Sequence, residues 1–216
     1  MRRKEDSTMS TIAKIIQDLK KHRQPNGVEE HIIPSKNKTR FEDMELQNPF
    51  AVANFIIKIA MEKDNPVTNL KLQKIMFFLQ GYCLSKYETP LIDGTFSKWR
   101  YGPIEEDVYR NFKNNGARPI TYEYEIANIK DGIIHVRTVK MDRNVLNSDV
   151  ANDFEKIVEN LVAIESWKLV EMTHLHSSWK DYVDKINTHE AKDYTNEEIK
   201  ECFIANKKMI IGEYNR

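Results

Sequence analysis

The stretch Thr68–Tyr87, "TNLKLQKIMFFLQGYCLSKY", decides how this chain folds. Plotted at about 100° per residue, Leu72, Ile75, Met76, Leu79 and Cys83 share one helical face, and Leu70, Phe77 and Leu84 share another. A helix that is apolar on nearly every side must be buried among other elements. The segment is therefore the expected centre of a core. Its polar residues then need explaining, because a buried polar group without a partner is costly. Gln73, Gln80 and Tyr87 recur every seven residues and form one narrow stripe between the apolar faces, suited to amides that bond loops or helix ends. Lys71 and Lys74 lie in the first turns. There a lysine stem can lie on apolar surface and hold its ammonium in water, which makes these two candidate partner-binding residues.

Upstream, Asn48-Pro49 opens a helix, with Asn as the N-cap and Pro in the first helical position. Phe50, Ala53, Ile57 and Ala60 make one apolar stripe and Val52, Ile56 and Ile59 a second, so this helix is also deeply packed. Asp64-Asn65-Pro66 stops it, and Thr68 caps the next. Before Asn48 the character changes. Ile12, Ile15, Ile16 and Leu19, spaced i, i+3, i+4, i+7, predict a narrow amphipathic helix within residues 8–23. The following "QPNGVEEHIIPSKNKTR" has no period and reads as a linker. Residues 1–47 are thus expected to form an extension to a domain at 48–216.

Downstream, "TPLIDGTFSKWRYGP" reads as a loop with a short extended piece around Phe96 to Arg100. Gly102-Pro103 is expected to start a helix whose first turn holds Glu105, Glu106 and Asp107. Asn114-Asn115-Gly116 ends it. Residues 120–140 change to a period of two, and Asp131-Gly132 between two β-rich runs predicts a hairpin. A lone hairpin is marginal, so it is expected to lie on the helices. The last third is helical. Phe154, Ile157, Val158 and Leu161 share a face, "SWKLVEMTH" contributes Trp167, Leu169, Val170 and Met172, and Ser178 caps a helix that turns Trp179, Tyr182, Val183 and Ile186 inward. Thr195 to Glu198 is a capping box. The fold class is mainly α: a helical domain with a small hairpin and an N-terminal helical extension.

With 216 residues, 40% hydrophobic and 31% charged, the chain supports one sizeable core and an appendage. A net charge of +0 gives no global argument for nucleic acid or an anionic membrane, although residues 1–40 carry ten Lys/Arg against five Asp/Glu. Cys83 and Cys202 cannot make a disulfide framework. There is no apolar run long enough for a membrane span and no apolar h-region near the start, so a cytoplasmic protein is expected.

Little in the chain suggests catalysis. Phosphate loops, nucleotide fingerprints and nucleophile elbows are all missing. The pairs Glu105/Glu106 and Glu197/Glu198 are adjacent, hence about 100° apart on a helix, and do not form a shared acid–base site. His174 and His176 have no clustered further ligands, so no metal and no cofactor is assigned. The expected class is a non-enzyme. "KWRYGP", Lys98 to Pro103, is more specific: Trp99, Arg100 and Tyr101 on a Gly-Pro corner have the composition of an interface anchor or, slightly ahead of it, of a plug that closes a core.

Taken in order, "VANFII", "TNLKLQKIMFFLQGY", "PLIDGTFSKWRYGP" and the later "LVEMTHLHSSWK" resemble the Panacea family of SocA-like antitoxins, often labelled phage-associated, over about Pro49 to Phe203. The resemblance implies a mainly helical antitoxin domain that neutralises a toxin encoded beside it by protein–protein contact. In one branch the domain is an adaptor that delivers the toxin to a protease. It carries over no catalytic residue. The expected contact elements are Ile12, Ile15, Ile16 and Leu19, the surface around Trp99, Arg100 and Tyr101, and Lys71 and Lys74 where they reach solvent. Self-association through the Ile12–Leu19 stripe is a further expectation, because that stripe needs an apolar cover. Nucleic-acid binding through the basic first 40 residues is a remaining alternative, disfavoured because no helix-turn-helix signature accompanies them.

Overall fold

A computed structural model describes residues 45–142 and 148–212. Helix α1 (Pro49–Glu62) starts where Asn48 Oδ1 accepts from Phe50 N at 2.9 Å, with Pro49 at the first position. Both of its apolar stripes are buried, apart from half-buried Phe50. Helix α2 (Asn69–Tyr87) is capped by Thr68, as expected, and is buried from Lys71 through Leu84 without a break. Most of the other helices, and the strand that begins at Gly102, pack around it. Phe77 and Phe78 form its aromatic centre, with the Phe96, Tyr194 and Phe203 rings at 5.2 to 5.7 Å from Phe77.

Beyond α2 the chain makes two antiparallel pairs. Strand β1 (Ser97–Trp99) pairs with β2 (Gly102–Ile104) in the register Ser97↔Ile104 and Trp99↔Gly102, so Arg100 and Tyr101 are the two turn residues. The expected helix start at Gly102-Pro103 is therefore wrong. Gly102 has φ +89, which no helix residue adopts, and Glu105 is the cap whose carboxylate accepts from Val108 N at 2.8 Å. Helix α3 (Glu106–Phe112) follows and ends in a 3₁₀ turn at Lys113–Asn115 before Gly116.

Strands β3 (Glu125–Lys130) and β4 (Ile133–Thr138) form the predicted hairpin, with Asp131 and Gly132 both at positive φ in its turn. Among the described residues only its base meets the helices. Asn54 donates to the carbonyls of Tyr124 and Val139 at 2.8 Å each and accepts from Tyr124 N at 2.6 Å, and Phe50 stacks on Tyr124 at 3.9 Å. The strands themselves project into solvent, contrary to the expectation that they lie on the helices.

Helix α4 (Ser148–Val162) buries Phe154, Val158 and Leu161 on one face as predicted. Helix α5 (Ser166–His174), α6 (Ser177–Lys180) and α7 (Val183–Asn187) form a stepped run rather than the single Ser178-capped helix expected. His176 stands at the N-cap of α6, and Ser178 is buried inside it. Of the four residues expected inward only Ile186 is buried; Trp179, Tyr182 and Val183 are half-exposed at the break. Helix α8 (Asn196–Gly212) opens with the predicted capping box: Thr195 N donates to Glu198 at 2.8 Å and Glu198 N to Thr195 Oγ1 at 3.1 Å. Both cysteines are buried and unbridged. Gln47, at the expected domain boundary, is buried, pairs with Ile92 and accepts from Asp142 N at 2.9 Å. Among the described residues no helix is long and apolar enough to cross a membrane.

Candidate interaction site

The polar residues of α2 are its ties to the rest of the domain. Gln80 Oε1 accepts from both Leu91 N and Ile92 N at 2.9 Å, while its amide donates to Asn196 at the start of α8 at 3.1 Å. Gln73 Oε1 accepts from Glu105 N at 2.7 Å. The two glutamines of the stripe thus bond loops and helix ends, as their position predicted. Both lysines behave differently from expectation. Lys74 is fully buried and donates to Pro103 O at 2.7 Å; Lys71 is buried and donates to Val162 O at the end of α4. Lys74 shows no exposure and Lys71 only 8%, so the expectation that both hold their ammonium in water for a partner is not met. A carbonyl has taken the place of water at each. Burial lowers the pKa of both, and that of Lys74 falls well below the ordinary lysine value.

Those bonds hold the β1–β2 turn. Gln73 grips the backbone at Glu105 and Lys74 grips Pro103, fixing the passage immediately after Tyr101. Gly102 is required here for two reasons. Its φ is +89, and a Cβ would lie 2.4 Å from Thr173 Oγ1 and 3.1 Å from Lys74 Nζ. On the other strand, Lys98 is buried against Glu198 at 3.2 Å, its ammonium 4.2 Å from the Tyr194 ring and 4.6 Å from that of Tyr182. The turn therefore stands on a rigid base.

What the base presents is aromatic. Trp99, Arg100 and Tyr101 are all exposed, Trp99 by 41% and Tyr101 by 50%. Trp99 leans on Tyr109 at 5.0 Å. Tyr101 meets Trp167, itself 60% exposed, edge to face at 5.6 Å, and Arg100 lies 5.8 Å from the Tyr101 ring. Trp179 donates from its indole to Trp99 O at 2.9 Å and stacks on His174 at 3.5 Å, nearly parallel. Burial, and secondarily the nearness of Lys74, lowers the His174 pKa, which favours the neutral ring. Together Tyr101, Trp167, Val170, His174, Trp179 and Val183 line a groove of about 440 Å³ beside Arg100. A second depression of about 380 Å³ shares Arg100 with the first and is lined by Ser97, Lys98 and His189.

The structure brings together Trp99, Arg100 and Tyr101 on one surface. Ile12, Ile15, Ile16 and Leu19 lie outside the described residues. Sequence reasoning missed Trp167, His174, Trp179 and Val183 as members of the same surface. The sequence pattern places Trp167 on the packed face of its helix; Leu169, Val170 and Met172 do fill that face, and Trp167 falls off it. The legible signal was the pair of signatures, one around Trp99 and one around Thr173-His174, whose juxtaposition needed the fold.

Comparison with known proteins gives the same direction. The family model described as antitoxin SocA-like, Panacea domain, matches residues 72–180, from the first turn of α2 to the end of α6. The curated protein Antitoxin SocA from Caulobacter vibrioides (strain NA1000 / CB15N) is 29% identical over 133 residues, covering 62% of this chain and 68% of its own length. No solved structure matches.

Proposed function

Because the chain belongs to the SocA-like antitoxin family through its Panacea domain, we propose that it neutralises its toxin by direct contact, without catalysis, at the aromatic surface around Arg100. The observation that carries this is the convergence of exposed Trp99, Tyr101 and Trp167 with Arg100 on a turn clamped from beneath by Gln73 and Lys74. Tryptophan, tyrosine and arginine carry most of the energy in protein interfaces. A pre-organised surface also loses little side-chain freedom on binding. The partner is a protein, encoded by a gene beside this one, met in the cytoplasm; the surface needs neither nucleic acid nor a cofactor for this role. Of the two roles open to the Lys98–Pro103 corner, the exposure of its rings favours the anchor over the plug.

Co-expression with the neighbouring gene product tests this. Restored growth, with a complex that co-purifies and a steady toxin level, is the expected result. Unrelieved toxicity with no complex would contradict it. Relief accompanied by disappearance of the toxin in the presence of one protease would instead make the chain an adaptor.

A further inference from the structure

The hairpin carries an apolar face that the helices do not cover. Cross-strand pairs Ala127↔Val136 and Ile129↔Ile134 put these four side chains on one side of the ribbon. Ile129, Ile134 and Val136 are 76%, 66% and 58% exposed. A two-stranded ribbon is marginally stable alone and gains little from leaving such residues in water. The patch lies away from the aromatic groove: its base is tied to α1 through Asn54 and Phe50, whereas the groove is built on β1, β2 and α5 to α7.

The entering chain passes the root of this hairpin. Gln47 accepts from Asp142 N at 2.9 Å, just past the end of β4, and Phe50 stacks on Tyr124, the residue before β3. Residues 1–44 therefore join the domain beside the hairpin base. They contain the apolar row Ile12, Ile15, Ile16 and Leu19, spaced i, i+3, i+4, i+7. Residues 20–44 separate that row from Glu45. A coil of about 25 residues has a root-mean-square span of about 28 Å, against about 20 Å for a six-residue strand. The reach fits the patch. A row spaced i to i+7 is about 10 Å long as a helix, of the same order as the two apolar rungs.

We infer that in the free protein the segment around Ile12–Leu19 docks on the Ala127, Ile129, Ile134, Val136 face of its own hairpin. Two arguments favour the same chain over a second copy. Four side chains bury far less than the roughly 1,000 Å² or more that a specific interface needs. Tethering supplies a local concentration on the order of millimolar, at which so small a patch is occupied, while a free copy at micromolar concentration leaves it empty. The docked segment gives the ribbon the covering layer it lacks and links the extension to the domain. This inference does not depend on the aromatic groove being the toxin surface.

Hydrogen exchange of the full-length protein, free of toxin, is the test. With I15D/I16D, amides of residues 125–138 should exchange about tenfold faster or more, while those of α1 and α2 stay protected. The reciprocal I129S/I134S change alters exposed residues only and should release amides around residues 12–19 by a similar factor. Both effects should be the same at 1 and 50 μM protein, values chosen on the order of the range that separates tethered from free partners. Unchanged exchange in either variant would overturn the inference. Protection that grows with protein concentration would assign the face to a second copy, and protection found only in a parallel run with the toxin added would assign it to the toxin; either also overturns it.

Discussion

Replacing Lys74 by Met isolates the least ordinary residue of the core. Its side chain is fully buried and donates to Pro103 O at 2.7 Å. Burial holds its pKa well below the usual lysine value, whereas in the unfolded chain it titrates near the usual value of about 10.4. Between those two pKa values the unfolded state binds a proton that the native state does not. Stability of the wild type must therefore rise with pH across that window, by up to about 1.4 kcal/mol per pH unit from this one group. The penalty is fully present below the lowered pKa and is relieved as pH approaches the unfolded value. Met has a similar length and no proton to exchange, so K74M lacks this slope. It also leaves the Pro103 carbonyl without a donor, a constant loss of about 1–3 kcal/mol that does not vary with pH. The assay is urea unfolding followed by far-UV circular dichroism at several pH values between 7 and 10, run on both proteins. Titrations of other groups cancel in the difference. The gap between the two proteins should shift in favour of the wild type as pH rises. Two parallel curves would show that Lys74 titrates as an exposed lysine, and the reading of α2 as a buried hub would fail with it.

Other parts of the domain make sharper, smaller tests. Q80L strands the Leu91 and Ile92 amides without their acceptor, which should cost about 2–6 kcal/mol and lower the melting temperature by roughly 5–20 °C. His176 is caged by Phe77, Phe78 and Phe203, and burial lowers its pKa to about 4. Below the unfolded value of about 6.5 the unfolded state takes up the proton first, so stability should fall as pH drops from about 6.5 to about 4, by about 3 kcal/mol; H176L should not show that loss in chemical denaturation. G102A forces a side chain into a positive-φ position 2.4 Å from Thr173 Oγ1 and should destabilise by at least about 2 kcal/mol, again read by denaturation.

Helix α2 was legible because its pattern admits one solution: a segment apolar all round has nowhere to go but the centre, and a heptad of amides within it can only serve neighbouring backbone. The caps at Asn48, Thr68 and Thr195 and the Asp131-Gly132 turn were legible for the same reason, since each is a local bond between residues two to four apart. The lysines were misjudged because a snorkelling lysine and a buried one have the same sequence; what separates them is a carbonyl from Pro103 or Val162, 29 and 91 residues away. Gly102-Pro103 misled because Pro suits both the first turn of a helix and a two-residue-turn strand, and only the pairing with Lys98 decides between them. The groove could be half read. Trp99, Arg100 and Tyr101 stood out by composition, whereas Trp167 and Trp179 join them only after two distant segments are folded together.

The claim that the aromatic surface holds the toxin is tested most directly by the affinity of purified Y101A and W167A proteins for the co-purified partner, with far-UV circular dichroism confirming that each variant is folded. Both residues are exposed, so neither change should disturb the core. Each should weaken binding by about 2 kcal/mol or more, close to 30-fold, and the double variant should fail to restore growth. Affinity within about threefold of wild type for both variants, below what an interface anchor contributes, would place the toxin elsewhere on the molecule.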